Sequence, residues 1–186
     1  YELEVKERFI KQSYRSRCEI YGANGKLDLI VPLKKWKTAS STEEMEISYD
    51  ENWPLLHWRS LASAYRNSPY FEFYEEELAT TFKKRFRFLI DLNLYAEQQI
   101  ADLIHLETIP QKTKTYRKTS EPDYRKEIHP KAKSLLQKIH FPVYQQVFME
   151  KYGFIKNLSI LDLLFNLGPE SFTYLKNIAE QNGKKN

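Results

Sequence analysis

A single cysteine, five glycines and no apolar run near the length of a membrane span set the first limits on this chain of 186 residues. A lone thiol forms no internal disulfide, which favours a reducing compartment. Cys18 alternates with Ser16 and Ile20 in a strand-like pattern, where a buried structural thiol is the ordinary reading. A spanning helix needs about 18 apolar residues, so no membrane span is expected. The first residues, Tyr1-Glu2-Leu3-Glu4, are charged and alternating, which is not the pattern of a secretory leader. A cytoplasmic location is the expectation. The only methionines are Met45 and Met149, so the start of translation is expected to lie upstream of Tyr1.

The scarcity of glycine leaves no room for a glycine-rich phosphate loop, and neither a dinucleotide fingerprint nor a Gly-x-Ser-x-Gly elbow occurs. His57, His105, His129 and His140 are scattered without metal-ligand spacing. These absences argue against P-loop, dinucleotide and zinc chemistry, and the sequence implies no cofactor and no metal.

Aromatic residues are abundant. Thirteen tyrosines, eleven phenylalanines and three tryptophans make 15% of the chain, enough for an aromatic-lined core or groove. With 41% hydrophobic and 29% charged residues the composition is that of a folded globular domain. The net charge of +4 favours anionic ligands but is too small to argue for nucleic acid by itself.

The pattern of the first third is that of strands. Residues 9–20 alternate, and Ala23-Asn24-Gly25-Lys26 supplies a hairpin turn. The returning strand puts Leu27, Leu29, Val31 and Leu33 on one face, with Pro32 marking an edge or an end. Residues 34–48 form a polar connection with a possible short strand at Met45–Ile47. From Asn52 onward helices dominate: one opened by Trp53-Pro54, then a long helical stretch from Tyr70 to Leu106, broken once. There Phe82, Phe86, Leu89, Asn93, Ala96, Ile100 and Leu103 recur at steps of three and four and should face the core, where Asn93 needs a partner. Residues 108–133 look like an exposed connection with a short strand near Thr113–Tyr116, long enough to be functional if ordered. Helices are expected over residues 144–152, 159–167 and 170–179, stopped in turn by Gly153 and Gly168-Pro169, with a fraying tail from Gly183. The fold class is α+β: an antiparallel hairpin followed by a mainly helical C-terminal two-thirds, in one domain.

Four constellations carry chemistry. Arg15 and Arg17 lie two apart, so on one strand they point the same way and can grip a carboxylate or diphosphate. The alternative is pairing with acidic residues or exposure to water. His57 shares a mostly apolar helix face with Trp53, Leu61 and Ala64; it is a core histidine or, beside a cavity, a general base. Arg59 and Arg66 lie elsewhere on that helix and should be solvated. Tyr65, Tyr70, Phe71, Phe73 and Tyr74 crowd around Pro69 with Glu72 among them, as packing or as an aromatic wall for sugar or nucleotide rings. Ser159 and Asp162 have capping spacing, although a carboxylate on so apolar a helix could also project into a site.

Lys11-Gln-Ser-Tyr-Arg-Ser-Arg-Cys18, Asn52-Trp-Pro-Leu-Leu-His-Trp-Arg-Ser-Leu61, Ala64-Tyr-Arg-Asn-Ser-Pro-Tyr-Phe-Glu-Phe-Tyr74 and Asn157-Leu-Ser-Ile-Leu-Asp-Leu-Leu-Phe-Asn-Leu-Gly-Pro-Glu170 occur in order and spacing. Together they resemble the bacterial WbqC-like family from Phe9 to Leu175, and Ile128-His-Pro-Lys131 and Gln146-Val-Phe148 fit one variant of it. The resemblance implies an association with O-antigen and other surface polysaccharides, and transfer of glycine or a similar acyl group to a sugar. It carries over motif positions rather than settled catalytic residues: Tyr14, Arg15 and Arg17; Trp53 and His57; Tyr65, Pro69 and Tyr70. Many relatives have Asn where Ser16 stands, which weakens a role there. Relatives begin with a further strand and helix before Phe9, and that segment is expected to be missing from this sequence.

The expectation is therefore an acyl or aminoacyl transferase acting on a sugar-nucleotide or sugar-linked intermediate. Arg15 and Arg17 would hold the anionic group and His57 would deprotonate the acceptor. Trp53, Tyr65, Tyr70, Glu72 and Asp162 would complete the ligand site, and the partner would be an anionic small molecule, a sugar nucleotide or an activated amino acid. The second reading is a non-catalytic module for a glycan, nucleotide or protein. Nucleic-acid binding ranks third, and the oligomeric state is open.

Overall fold

A computed structural model describes residues 1–35, 40–125, 127–130 and 138–183. Lys131 of the Ile128 motif and the tail from Lys184 lie outside the described residues. β1 (Glu2–Leu3) is followed by β2 (Arg17–Gly22) and β3 (Gly25–Ile30), which pair antiparallel with Arg17 opposite Ile30 and Gly22 opposite Gly25. Ala23 and Asn24 turn the corner, and Gly25 follows at φ 96°, a backbone state that only glycine adopts without strain. β4 (Gln111–Lys112) returns to pair in parallel with β1.

The alternation over residues 9–20 does not make one strand. Residues 11–16 form turns: Gln12 has φ 58°, the Ser13 hydroxyl donates to the Ile10 carbonyl at 2.9 Å, and the Ser16 N–H donates to the Ser13 carbonyl at 3.3 Å. These local side-chain and main-chain bonds outcompete the ladder there. Met45–Ile47 likewise forms isolated bridges, Ile47 with Leu33 and Glu46 with Phe88, and no strand.

Six α-helices follow among the described residues, which makes the architecture α+β: α1 (Trp53–Tyr65), α2 (Phe71–Lys83), α3 (Leu89–Leu103), α4 (Met149–Tyr152), α5 (Ile160–Leu167) and α6 (Glu170–Gly183). Pro54 sits in the first turn of α1, where its missing N–H leaves no gap. The long helical stretch breaks at residues 84–88, so Phe86 of the stripe lies in the break. The helix expected over residues 144–152 is confined to α4, because the side chains of Tyr144 and Gln146 bond to Asp162 instead. Gly153 at φ 73° ends α4, and Gly168 at φ 55° ends α5. Upstream of the expected strand at Thr113, β4 holds the long connection to the N-terminal segment. Thr113 N–H donates to the Leu3 carbonyl at 3.0 Å, and the Glu4 carboxylate accepts from the Thr113 hydroxyl at 2.8 Å and the Arg117 N–H at 2.9 Å.

Two apolar clusters form the core. The larger joins Ile20, Tyr21 and Leu29 of the hairpin to Leu61 and Tyr65 of α1, Phe71 and Leu78 of α2, and Leu164 and Phe165 of α5. The smaller holds Phe9, Met45, Ile47, Trp53, Phe86, Leu89 and Leu92. Among the described residues no helix is long and apolar enough to cross a membrane.

Candidate functional site

Between these clusters lies a cavity of about 470 Å³, walled by the residue 14–18 segment, β3, α1, α2, α3 and the start of α5. Its lining draws on both clusters, Leu29 and Leu78 from one and Trp53 and Leu92 from the other. Four of the residues singled out by the sequence meet here: Arg15, Arg17, Trp53 and His57. Tyr65, Tyr70, Glu72 and Asp162 are not on this wall.

The two arginines come from different local structures, a turn and the first position of β2, and each meets an acid. Arg15 is held by the buried carboxylate of Glu7, which also faces Arg125 at 3.8 Å. Burial, with the Arg125 charge adding to it, lowers the pKa of Arg15. The Arg15 carbonyl accepts from Asn93 Nδ2 at 2.9 Å, which gives the polar interruption of the α3 stripe its partner. Arg17 Nη1 stands 3.3 Å from Asp28 Oδ2 on β3, while its Nε is buried with no partner among the described residues. Thr108 Oγ1, on the same cavity wall, is also buried and unpartnered.

His57 packs its ring against Trp53, centroid to centroid 5.0 Å, one turn up the apolar face of α1. Burial lowers its pKa from the ordinary 6.5, and a hydrogen bond to the Ile30 carbonyl offsets part of that. Burial thus favours the neutral imidazole, one of whose nitrogens is an acceptor for a proton. Trp53 is itself fixed, its Nε1 donating to the Ser48 carbonyl at 3.0 Å and its ring stacked on Tyr49. Cys18 also lines the cavity, but burial pushes its thiol up to about 11, and the thiolate is scarce at neutral pH. Arg59 and Arg66 are exposed.

Asp162 is not a helix cap. The Ser159 hydroxyl accepts from Leu161 N–H at 3.4 Å, but the Asp162 carboxylate turns inward, fully buried. It accepts from Tyr65 at 2.8 Å, Tyr144 at 2.6 Å and Gln146 Nε2 at 2.8 Å, and Tyr65 in turn accepts from the Tyr21 N–H at 2.9 Å. Burial raises the Asp162 pKa, and these three donors pull it back. Tyr65 and Asp162 thus tie α1 and α5 to β2. Tyr70 is half-buried and lies against Gly168, and Glu72 is exposed.

Sequence reasoning did not find Glu7, Thr108 or Tyr144, and it gave Gln146 only as part of the motif that fits one variant of the family. Glu7 acts through Arg15, and Tyr144 and Gln146 through Asp162, while Thr108 Oγ1 has no partner among the described residues. A second, wider cleft of about 1270 Å³ lies between the N-terminal segment and the connection after β4. Arg8, Lys11, Lys35, Lys118 and Arg125 line it with Glu7, Asp123 and Glu127, so cations outnumber carboxylates. Glu7, bonded to Arg15, stands between this cleft and the apolar cavity.

A model of the WbqC-like protein family matches residues 5–134 and 131–174 of the chain. No curated protein and no solved structure matches it.

Proposed function

The chain belongs to the WbqC-like protein family, and on that basis we propose that it transfers an acyl or aminoacyl group to a sugar-nucleotide or sugar-linked intermediate of surface polysaccharide. One observation carries the reading: Arg15 and Arg17 from one stretch of the chain and Trp53 and His57 from another line one cavity of ligand size. The neutral imidazole of His57 accepts the proton of the acceptor amine or hydroxyl as that atom bonds to the acyl carbon. The bond from that carbon to the leaving group then breaks. The leaving group departs with the electron pair and takes the proton back from His57. Arg17 holds the anionic part of the substrate, since Glu7 already occupies Arg15, and the basic cleft offers a second place for phosphate.

A thermal-shift screen against sugar nucleotides, nucleotides and activated amino acids tests the reading. A ligand at about a hundred times its dissociation constant stabilises by about 2.7 kcal/mol. The expected result is a hit lost in Arg17→Ala, together with turnover that falls about a hundredfold or more in His57→Ala. The rate should rise with pH through a pKa below 6.5 and stay level above it, because the base form is the unprotonated one. Unchanged turnover in a folded His57→Ala removes that residue from the mechanism.

The second reading, a non-catalytic binding module, is favoured by the surroundings of His57: among the described residues burial and the Ile30 main chain act on it, and no titratable side chain does. Ligand binding without turnover in any pairing of donor and acceptor would decide for it.

A further inference from the structure

Apart from its polar rim the cavity is aliphatic and aromatic. Leu29, Leu78, Phe82, Ile100 and Leu161 contribute walls from the hairpin, α2, α3 and α5. Such a surface offers a sugar ring few partners for its hydroxyls and a glycyl group almost nothing to fill the space. Buried donors without acceptors are rare in folded proteins, because water has been removed and nothing replaces it. Three buried side-chain polar atoms among the described residues lack partners, and one of them, Arg17 Nε, belongs to a guanidinium of this lining that is otherwise partly open. A guanidinium donates to an acceptor oxygen carrying negative charge.

We propose that the cavity takes a straight-chain aliphatic acyl group, its carboxyl-level oxygen accepting from the Arg17 guanidinium and its chain lying along Leu29, Leu78, Phe82 and Ile100. This deepens the transferase reading and rests on it for the role of the acyl group, though the binding itself does not depend on turnover. The volume is that of a small-molecule site. The Arg17 guanidinium is complementary to a carboxylate, the Glu97 carboxylate on the same lining is engaged by the Tyr1 hydroxyl, and the apolar wall matches a hydrocarbon.

The test is calorimetric titration of the full chain with glycine and with butanoate, hexanoate, octanoate and decanoate. Each added pair of methylenes should tighten binding by about an order of magnitude until the chain fills the cavity. Arg17→Gln should weaken every member of the series by about tenfold and leave the chain-length slope intact. Ala96→Phe, which puts a ring into the cavity from α3, should stop the gain at a shorter chain; Ala96→Leu serves if that variant does not fold. A flat response to chain length overturns the inference, as does a slope that Ala96→Phe leaves unchanged. Chain-dependent binding with no turnover upholds the inference and sinks the transferase. Glycyl transfer with no chain dependence sinks the inference and leaves the transferase standing.

Discussion

Asp162 has no cation beside it among its hydrogen-bond partners; its carboxylate is satisfied by two phenols and an amide. A buried polar network of this kind is costly to leave half-made, because each abandoned donor keeps its desolvation penalty. Asp162→Ala would strand Tyr65, Tyr144 and Gln146 together, and the expected loss is about 2–4 kcal/mol in chemical denaturation. A loss no larger than about 0.5 kcal/mol, the scale of a surface substitution, would show that the network contributes little. Arg15 and Arg17 give the opposite lesson. Their two-residue spacing signals a matched pair, but the chain turns between Ser13 and Ser16, so Arg15 meets the buried Glu7 while Arg17 meets Asp28 and keeps a buried Nε without a partner among the described residues.

At the scale of elements, the stop signals decide where helices can meet. Gly168 ends α5 at φ 55°, and a Cβ there would come within 2.5 Å of the Tyr70 ring, so the turn both reverses the chain and lets α5 close on the start of α2. The Tyr70 N–H donates to the Phe165 carbonyl at 3.0 Å across the same contact. Gly168→Ala should therefore lower stability by about 2–4 kcal/mol, the sum of a disfavoured backbone state and an overpacked contact. Gly25→Ala, also at positive φ but with nothing within 4 Å of the added carbon, should cost only about 1–2 kcal/mol. Equal midpoints for the two variants in thermal melts would remove the Tyr70 contact from the account.

For the whole molecule, the cavity is the space left where two clusters meet. Trp53 belongs to the smaller cluster and Leu61 and Tyr65 to the larger, so α1 runs through both; the cavity borrows walls from each. We expect the clusters to unfold together. Leu89→Ala and Leu164→Ala, one in each, should each cost about 2–5 kcal/mol and shift a single transition seen alike by far-UV and near-UV circular dichroism. Two transitions, each moved by only one variant, would mean that the clusters are separate folding units.

Elements with strong local signals were legible from residues alone. Pro54 near a helix start, Asn24-Gly25 at a hairpin, Gly153 and Gly168 at helix ends, and the three-four spacing along α3 act within a few positions, where sequence neighbours are also neighbours in space. The same locality explains why the motif carrying Trp53 and His57 was found on one helix face. What local pattern misjudged was the alternation over residues 9–20 and the helix over 144–152, where side chains bond to turns or to Asp162 instead of extending regular structure. Only the tertiary structure decided that Arg15, Arg17, Trp53 and His57 share a wall while Tyr65 and Asp162 serve the core. Glu7 beside Arg15 and Thr108 beside the cavity were likewise invisible, because burial and partnership between distant residues are set by how elements pack and leave no periodic trace in the chain.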